Sequence, residues 1–285
     1  MRKIIVFIIS ILVVSCQKNK GSNGLTQLSR LPKQLKEISG IAFRDNLIYC
    51  IEDSGNENKI SVIDTLGTIN HSIILNNATN VDWEDITFDS KGNLYVGDFG
   101  NNNNDRKDLV IYKIDESKLN SDNVTIDTKI SFDYPEQIEF PPSKKKLMFD
   151  VEAFFEYQNY FYLFTKNRSK NFDGTSYIYK IPNSNGHHHA KLIQEIKLCS
   201  DAQNCAITSA TINNDGTKYV LLSHSKIWIF ENFKKDSITN SSIKELDLNH
   251  FSQKEAVCFG DNFSLLIADE KAKKKGGNLY KFNLK

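Results

Sequence analysis

The sequence predicts an all-β protein, a single β-propeller with five four-stranded blades. Three observations predict it: a pattern that recurs five times, turn signals between short apolar runs in each unit, and almost no 3.6-residue apolar period of a long helix. With 285 residues, 40% of them hydrophobic, the chain can form one large β domain. A β-sandwich is the rival, but it gives no reason for five similar units.

Each unit begins with Ser or Glu, and a mostly apolar run follows that we assign to the innermost strand. The five first runs are Ser39–Phe43, Glu84–Phe88, Glu152–Glu156, Ser209–Asn213 and Glu255–Phe259. A turn signal such as Asn214-Asp-Gly216 then leads to a second β-rich run, which indicates a hairpin. The five second runs are Leu47–Ile51, Leu94–Val96, Tyr160–Phe164, Tyr219–Leu222 and Ser264–Ile267.

A third run follows in every unit, but a fourth follows in the first four units alone. The fifth unit ends at Lys285 without a fourth strand, and the alternating segment Leu25–Leu31 precedes the first unit. We therefore expect this N-terminal segment to complete the fifth blade and close the ring. Six blades are the alternative to five, because the unit from Glu84 to Val151 is long enough to contain a further short blade.

The N-terminus has the features of an exported lipoprotein. Arg2-Lys3 precedes the apolar run Ile4–Val14, which is too short to span a bilayer. Val13–Cys16 then resembles a bacterial lipobox, in which the cysteine after the cleavage site carries the lipid. An ordinary secretory signal with a chance cysteine is the alternative.

These features predict three regions. Residues 1–15 form a lipoprotein signal peptide, residues 16–24 a lipidated Cys16 with a flexible tether, and residues 25–285 the propeller. The protein would be exported and attached to a membrane of the cell envelope, facing the periplasm or the cell surface. We expect it to be monomeric.

The other four cysteines would then lie in an oxidising compartment. Cys199 and Cys205 stand six residues apart and could close a small disulfide ring, whereas Cys50 and Cys258 lie in apolar strands and are expected to be buried free thiols. No Cys/His spacing resembles a zinc site, and His187–His189 are predicted to lie in a solvated loop.

Charge and motifs exclude several function classes. Lys and Arg total 36 against 35 Asp and Glu, which argues against nucleic acid as a partner. The sequence contains no nucleophile elbow, P-loop or dinucleotide fingerprint. A small molecule or an envelope protein remains as the partner.

Polar residues recur at the start of the first strand and the end of the second strand, two positions that a propeller brings to one end of its channel. The predicted binding set is Glu37, Glu84, Asp85, Asp98, Asn101, Glu152, Lys166, Arg168, Glu255, Asp269, Glu270 and Lys271. Clustered carboxylates repel one another unless they are compensated, either by basic side chains such as Lys166 or by a hard cation such as Ca²⁺. Binding of a ligand, metal-assisted hydrolysis and a purely structural role all remain open.

Six motifs in order resemble a known family. They are Trp83–Thr87, Val96–Asn102, Val151–Phe154, Thr165–Arg168, Glu255–Phe259 and Ala268–Lys271. Together they resemble bacterial exported propellers described as "esterase-like activity of phytase", over residues 35–285. A more distant similarity, to gluconolactonase-type propellers, implies a channel-mouth Ca²⁺ with Glu37, Glu84, Glu152 and Glu255 as ligands.

The leading hypothesis is a lipid-anchored propeller that binds a small ligand or partner at an acidic channel mouth. The alternatives are a metal-dependent hydrolase of esters, lactones or phosphoesters and a structural module of an envelope complex. Glu152 and Glu84 are the candidate catalytic residues, with Glu152 as the base that activates a water. The fourth unit departs from the pattern, because Ser209 replaces the acid.

Overall fold

The computed structural model describes residues 24–233, 238–239 and 241–284. The predicted signal peptide, the lipidated Cys16 and the tether up to residue 23 lie outside the described residues. Within the described part of the chain, no helix is both long enough and apolar enough to cross a membrane.

The described residues form 22 strands. In chain order they are β1 (Leu25–Arg30), β2 (Ile38–Arg44), β3 (Leu47–Glu52), β4 (Lys59–Ile63), β5 (Ile69–Leu75), β6 (Trp83–Phe88), β7 (Leu94–Asp98), β8 (Val110–Ile114), β9 (Asn123–Val124), β10 (Thr128–Asp133), β11 (Asp150–Tyr157), β12 (Tyr160–Lys166), β13 (Thr175–Pro182), β14 (Gly186–His189), β15 (Lys191–Lys197), β16 (Ser209–Ile212), β17 (Lys218–Leu222), β18 (Lys226–Glu231), β19 (Ser242–Asp247), β20 (Lys254–Asp261), β21 (Ser264–Asp269) and β22 (Asn278–Asn283). One short helix, α1, covers Ala202–Cys205.

These strands build a β-propeller of five four-stranded antiparallel blades, which confirms the predicted fold class and blade count. From the axis outward the blades are β2-β3-β4-β5, β6-β7-β8-β10, β11-β12-β13-β15, β16-β17-β18-β19 and β20-β21-β22-β1. The innermost strands pack in sequence, β2 on β6, β6 on β11, β11 on β16, β16 on β20 and β20 on β2, so the ring is closed. As predicted, β1 supplies the outer strand of the fifth blade by pairing with β22.

The long second unit contains no sixth blade in the described residues. A 3₁₀ turn at Glu116–Lys118 lies where one helical turn was expected, and β9 then pairs in parallel with β5 of the first blade. This extra strand covers the outer edge of that blade.

The histidines predicted to lie in a loop form a strand instead. The segment Gly186–His189 is β14, which pairs in parallel with β10, the outer strand of the second blade. The prediction failed because β14 is stabilised by pairing with the free edge of β10, a strand that lies far away in the sequence.

Five apolar clusters fill the spaces between neighbouring blades. Phe154 packs into the cluster between the second and third blades, and the next residue, Phe155, packs into the cluster between the third and fourth. Successive residues of an inner strand therefore bury on opposite faces. This is why these strands read as continuous apolar runs rather than as alternating ones.

The four cysteines of the described residues fall into two groups. Cys199 and Cys205 form a disulfide with 5.6 Å between their Cα atoms, at the end of α1. Cys50 and Cys258 are free and buried in the cluster between the fifth and first blades. Burial raises the pKa of both thiols, which leaves them in the unreactive protonated form.

A buried carboxylate ties the innermost strands together at the channel axis. Asp85 on β6 is fully buried and accepts hydrogen bonds from the backbone N–H groups of Phe154 and Ala210, at 3.1 and 3.3 Å, and from the Ser209 hydroxyl at 3.3 Å. Ser209 Oγ in turn accepts from the Val257 N–H. The Asp85 and Ser209 side chains together thus connect four blades.

We expect Asp85→Ala to lower the free energy of unfolding by about 3–5 kcal/mol, because it leaves buried N–H groups of two other blades without an acceptor. Chemical denaturation of the purified protein measures this. The exposed Asp122→Ala is the control and should change stability by less than about 0.5 kcal/mol. Equal stability of the two variants would show that the axial carboxylate contributes nothing to ring closure.

Candidate functional site at the channel mouth

β-Bulges direct the first residue of the repeat toward one end of the channel. In four blades the register between the first and second strands skips one residue near the start of the first strand. The skipped residues are Ser39, Glu84, Glu152 and Glu255. A bulge re-aims a side chain that strict alternation would place elsewhere, and all four side chains line one cavity.

This cavity, which we call the mouth, has a volume of about 140 Å³ and is strongly acidic. Its described lining residues are Glu37, Ile38, Ser39, Asp53, Glu84, Asn102, Glu152, Lys166, Arg168, Gln253, Glu255 and Glu270. Six of them carry carboxylates and two, Lys166 and Arg168, carry permanent positive charges. The acids therefore outnumber the bases, and some carboxylates must be protonated or paired with another cation.

One side of the mouth adjoins a carboxylate trio, two of whose members, Asp53 and Glu84, line the cavity, and none of the three forms a salt bridge among the described residues. Possible ligand atoms of Asp53, Asp82 and Glu84 all lie within 4.8 Å of one another. Glu84 is 8% exposed, and no described residue donates a hydrogen bond to its carboxylate. Burial, and then the neighbouring Glu152, raise the pKa of Glu84 well above its usual range.

Asp82 is the member of this trio whose charge changes near neutral pH. Burial and the adjacent Asp53 carboxyl raise the pKa of Asp82 to about 7. At neutral pH the trio therefore retains protons that a divalent cation would displace.

The other half of the mouth is compensated by bases. Arg168 donates to both Asp150, at 2.5 Å, and Glu152, and Lys166 Nζ lies 2.9 Å from the second oxygen of Glu152. Burial by itself would raise the pKa of Glu152, but Lys166 and Arg168 outweigh it and lower that pKa. Glu152 is therefore ionised and engaged at neutral pH.

The loop after β7 shapes the acidic half. Gly100 lies against Glu84 and Asp82 so closely that an added Cβ would overlap both carboxylates. Its neighbour Asn101 donates its backbone N–H to Asp150 at 2.6 Å, which ties this loop to the third blade. The loop requires glycine at that position if the acids are to approach each other.

The structure brings seven of the twelve predicted binding residues into the mouth: Glu37, Glu84, Glu152, Lys166, Arg168, Glu255 and Glu270. The other five, Asp85, Asp98, Asn101, Asp269 and Lys271, do not line it.

Four of these five lie in the structural framework instead. Asp85 is the axial carboxylate, and Asn101 holds its own loop. Asp98 pairs with Arg106 at 3.0 Å, and Asp269 accepts from Tyr280 Oη at 2.9 Å. Lys271 is exposed, and its backbone N–H bonds to the Lys36 carbonyl.

The four predicted metal ligands do not converge on one point. Glu84 belongs to the trio above and also to a second group with Asp150 and Glu152, but Glu37 and Glu255 belong to neither. Glu37 is bonded by Lys36 and Asn56, and Glu255 lies 3.0 Å from His224 Nε2.

Three acids of these clusters were missing from the predicted binding set: Asp53, which lines the mouth, and Asp82 and Asp150, which lie beside Glu84. Asp82 and Asp150 stand two residues before Glu84 and Glu152, at the same recurring position in their units. That equivalence was the signal that could have identified Asp82 and Asp150.

A larger cavity, of about 630 Å³, opens at the opposite end of the channel between the hairpin turns of the blades. Three of its acids accept hydrogen bonds within or between those turns. Asp89 accepts from two backbone N–H groups of its own turn, Glu156 from the Asn159 N–H, and Asp215 from Asn262. The smaller mouth, with its unpartnered acid, is therefore the better candidate site.

Comparisons with known proteins identify the fold alone. No protein-family model and no curated protein match the sequence. The chain is similar to the PQQ-bound form of an aldose sugar dehydrogenase from Streptomyces coelicolor, with 9% identity, a TM-score of 0.52 and coverage of 92% of this chain and 98% of that chain. It is also similar to a chain of a nidogen/laminin complex, with 12% identity, a TM-score of 0.45 and coverage of 87% and 80%.

The raised pKa of Asp82 predicts a pH dependence of stability. An acid whose pKa rises on folding binds more protons in the native state between its ordinary and its raised pKa, so the free energy of unfolding falls as pH rises through that window. In chelator, we expect the midpoint of thermal unfolding to fall between about pH 5 and about pH 8.

Asp82→Asn should reduce this fall and raise the midpoint at about pH 8, whereas the exposed Asp122→Asn should leave the pH profile unchanged. Thermal unfolding followed by circular dichroism measures both. Identical profiles for the protein and the Asp82→Asn variant would contradict the assignment.

Proposed function

We propose that this protein is a binding propeller of the bacterial cell envelope that holds a hard divalent cation, such as Ca²⁺, in its acidic mouth and binds a small polar ligand there. Asp53, Asp82 and Glu84 would hold the cation. The observation that carries the proposal is Glu84, a carboxylate buried in the mouth with no donor among the described residues.

Charge and chemistry support a cation in this half of the mouth. Burying carboxylates without compensation is costly, and the two bases that line the mouth, Lys166 and Arg168, already contact Glu152. Three carboxylates and surrounding water supply only oxygen ligands, which suit Ca²⁺ or Mg²⁺ rather than a softer metal.

The size of the mouth supports a small ligand. Its 140 Å³ falls below the roughly 300–1,000 Å³ of pockets for drug-sized molecules. At about 30 Å³ per water molecule, the mouth has room for a hydrated cation and a small polar group.

Attachment to the envelope completes the proposal. The lipobox-like Val13–Cys16 supports a lipid on Cys16, and the flexible tether would let the propeller face the periplasm or the cell surface. The six ordered motifs support membership of the exported propellers described as "esterase-like activity of phytase", and the protein would act as a monomer.

We expect Ca²⁺ to bind the purified protein with one site and Glu84→Gln to weaken that binding at least about 10-fold, because the amide keeps the shape but lacks the charge. Isothermal titration calorimetry with CaCl₂ measures this. The matched control is Glu156→Gln, which changes an equally buried glutamate at the opposite end of the channel and should leave Ca²⁺ affinity unchanged.

Two outcomes would contradict the proposal. One is an absence of Ca²⁺ and Mg²⁺ binding to the unmodified protein at millimolar concentration. The other is an equal effect of Glu84→Gln and Glu156→Gln, which would place the site elsewhere. Either outcome would favour a structural or interaction role in an envelope complex.

Metal-dependent hydrolysis of esters, lactones or phosphoesters is the second candidate, and the pKa of Asp82 favours it. A general base works best when its pKa lies near the working pH, and that of Asp82 is about 7. Glu152, the base predicted from the sequence, is paired with two cations and has a lowered pKa, so it is a weaker base. In this second candidate, Asp53 and Glu84 would hold the cation and Asp82 would be the base.

If the protein hydrolyses such substrates, chelator should abolish turnover and Asp82→Asn should lower kcat by about 100-fold or more, with folding intact. A panel of nitrophenyl esters, lactones and phosphoesters, assayed with Ca²⁺ and with chelator, measures this. Chelator-insensitive turnover would argue against a metal-dependent reaction, and turnover that Asp82→Asn leaves unchanged would exclude Asp82 as the base.

A further inference from the structure

A second cluster of possible metal ligands lies on the outer rim of the propeller, away from the mouth. It contains Asp133 at the end of β10 and two histidines of β14. The strands pair in parallel with Ser131 opposite His187 and Asp133 opposite His189. Because alternate residues of a strand point to the same face, His187 and His189 share one face and His188 faces the other way.

The side chains converge on the carboxylate. His189 Nδ1 lies 2.7 Å from one oxygen of Asp133, and His187 Nε2 lies 3.2 Å from the other. The three ligand atoms lie within 4.8 Å of one another. The other ring nitrogen of His187, Nδ1, lies 3.2 Å from Ser131 Oγ, which fixes the orientation of that ring.

We propose that Asp133, His187 and His189 form a binding site for a transition-metal ion such as Zn²⁺. Two imidazoles and one carboxylate suit Zn²⁺, Ni²⁺ or Cu²⁺, and they do not suit the all-oxygen preference of Ca²⁺. The side chains are 44%, 52% and 74% exposed for Asp133, His187 and His189, so water can complete the coordination sphere.

The position of the site gives the metal a structural consequence. Asp133 belongs to the second blade, whereas β14 lies in the connection between two strands of the third blade. A bound ion would therefore fasten the third blade to the outer edge of the second. A surface ion pair alone contributes at most about 1 kcal/mol, but a metal that binds only the folded protein adds stability according to its concentration and affinity.

Zinc titration of the purified protein tests this site, and His188 provides a matched control on the same strand. We expect one Zn²⁺ to bind, His187→Ala and His189→Ala each to weaken binding at least about 10-fold, and His188→Ala to leave it unchanged. Zn²⁺ should also raise the thermal midpoint of the unmodified protein and of His188→Ala, but not of the other two variants.

Two further variants separate this site from the mouth. Asp133→Asn should weaken Zn²⁺ binding, and Glu84→Gln should leave it intact. Absence of Zn²⁺ binding at submillimolar concentration, or equal affinity in His187→Ala and His188→Ala, would overturn the proposal. Because His187 and His189 are exposed and His188 is only partly buried, loss of folding, checked by circular dichroism, is not expected to obscure the result.

Discussion

The contacts around one buried residue at the channel axis, Asp85, involve all five blades. Asp85 receives hydrogen bonds from the third and fourth blades, and Ser209 extends the network to the fifth. The first blade joins by close approach, because Gly40 packs directly against the Asp85 backbone, where a side chain would clash. A carboxylate with no access to water is tolerated only while these donors are in place, so the network favours the complete ring over any partial one.

The same constraint positions the candidate site. Glu84 and Asp85 are neighbours on β6, and the β-bulge at Glu84 turns the first into the mouth while the second remains on the axis. Fixing Asp85 among the other blades therefore fixes the depth and direction of Glu84. Glu84, Glu152 and Glu255 lie on innermost strands of the closed ring, which preorganises them for a ligand.

The sequence was sufficient to predict the blades because each one repeats the same local signals. Runs such as Leu47–Ile51 and Tyr160–Phe164 correspond closely to observed strands, and the alternating Leu25–Leu31 correctly indicated the closing strand. The additional parallel strands β9 and β14 were not predictable in this way. They are short, and what stabilises them is the free edge of a blade that lies far away in the chain.

The site was predicted less completely for a related reason. Position in the repeat identified Glu84, Glu152 and the two bases, but not which acids would be compensated. Pairing depends on how long side chains fold back over the mouth, as when Arg168 bonds Asp150 of its own blade while Asp82, at the same position of the second blade, forms no such ion pair with a described residue. Asp85 illustrates the same difficulty, since one bulge decides whether a polar residue faces the mouth or the axis.

The uneven charge of the mouth has a consequence for any anionic ligand. Lys166 and Arg168 already contact Glu152, so an anion would have to compete with that carboxylate for them. The opposite half would repel an anion as long as Asp53, Asp82 and Glu84 carry negative charge. A divalent cation held by this trio would reverse that repulsion and leave coordination positions for ligand oxygens. Cation and ligand would then each bind more tightly in the presence of the other, because a coupling free energy between two sites is reciprocal.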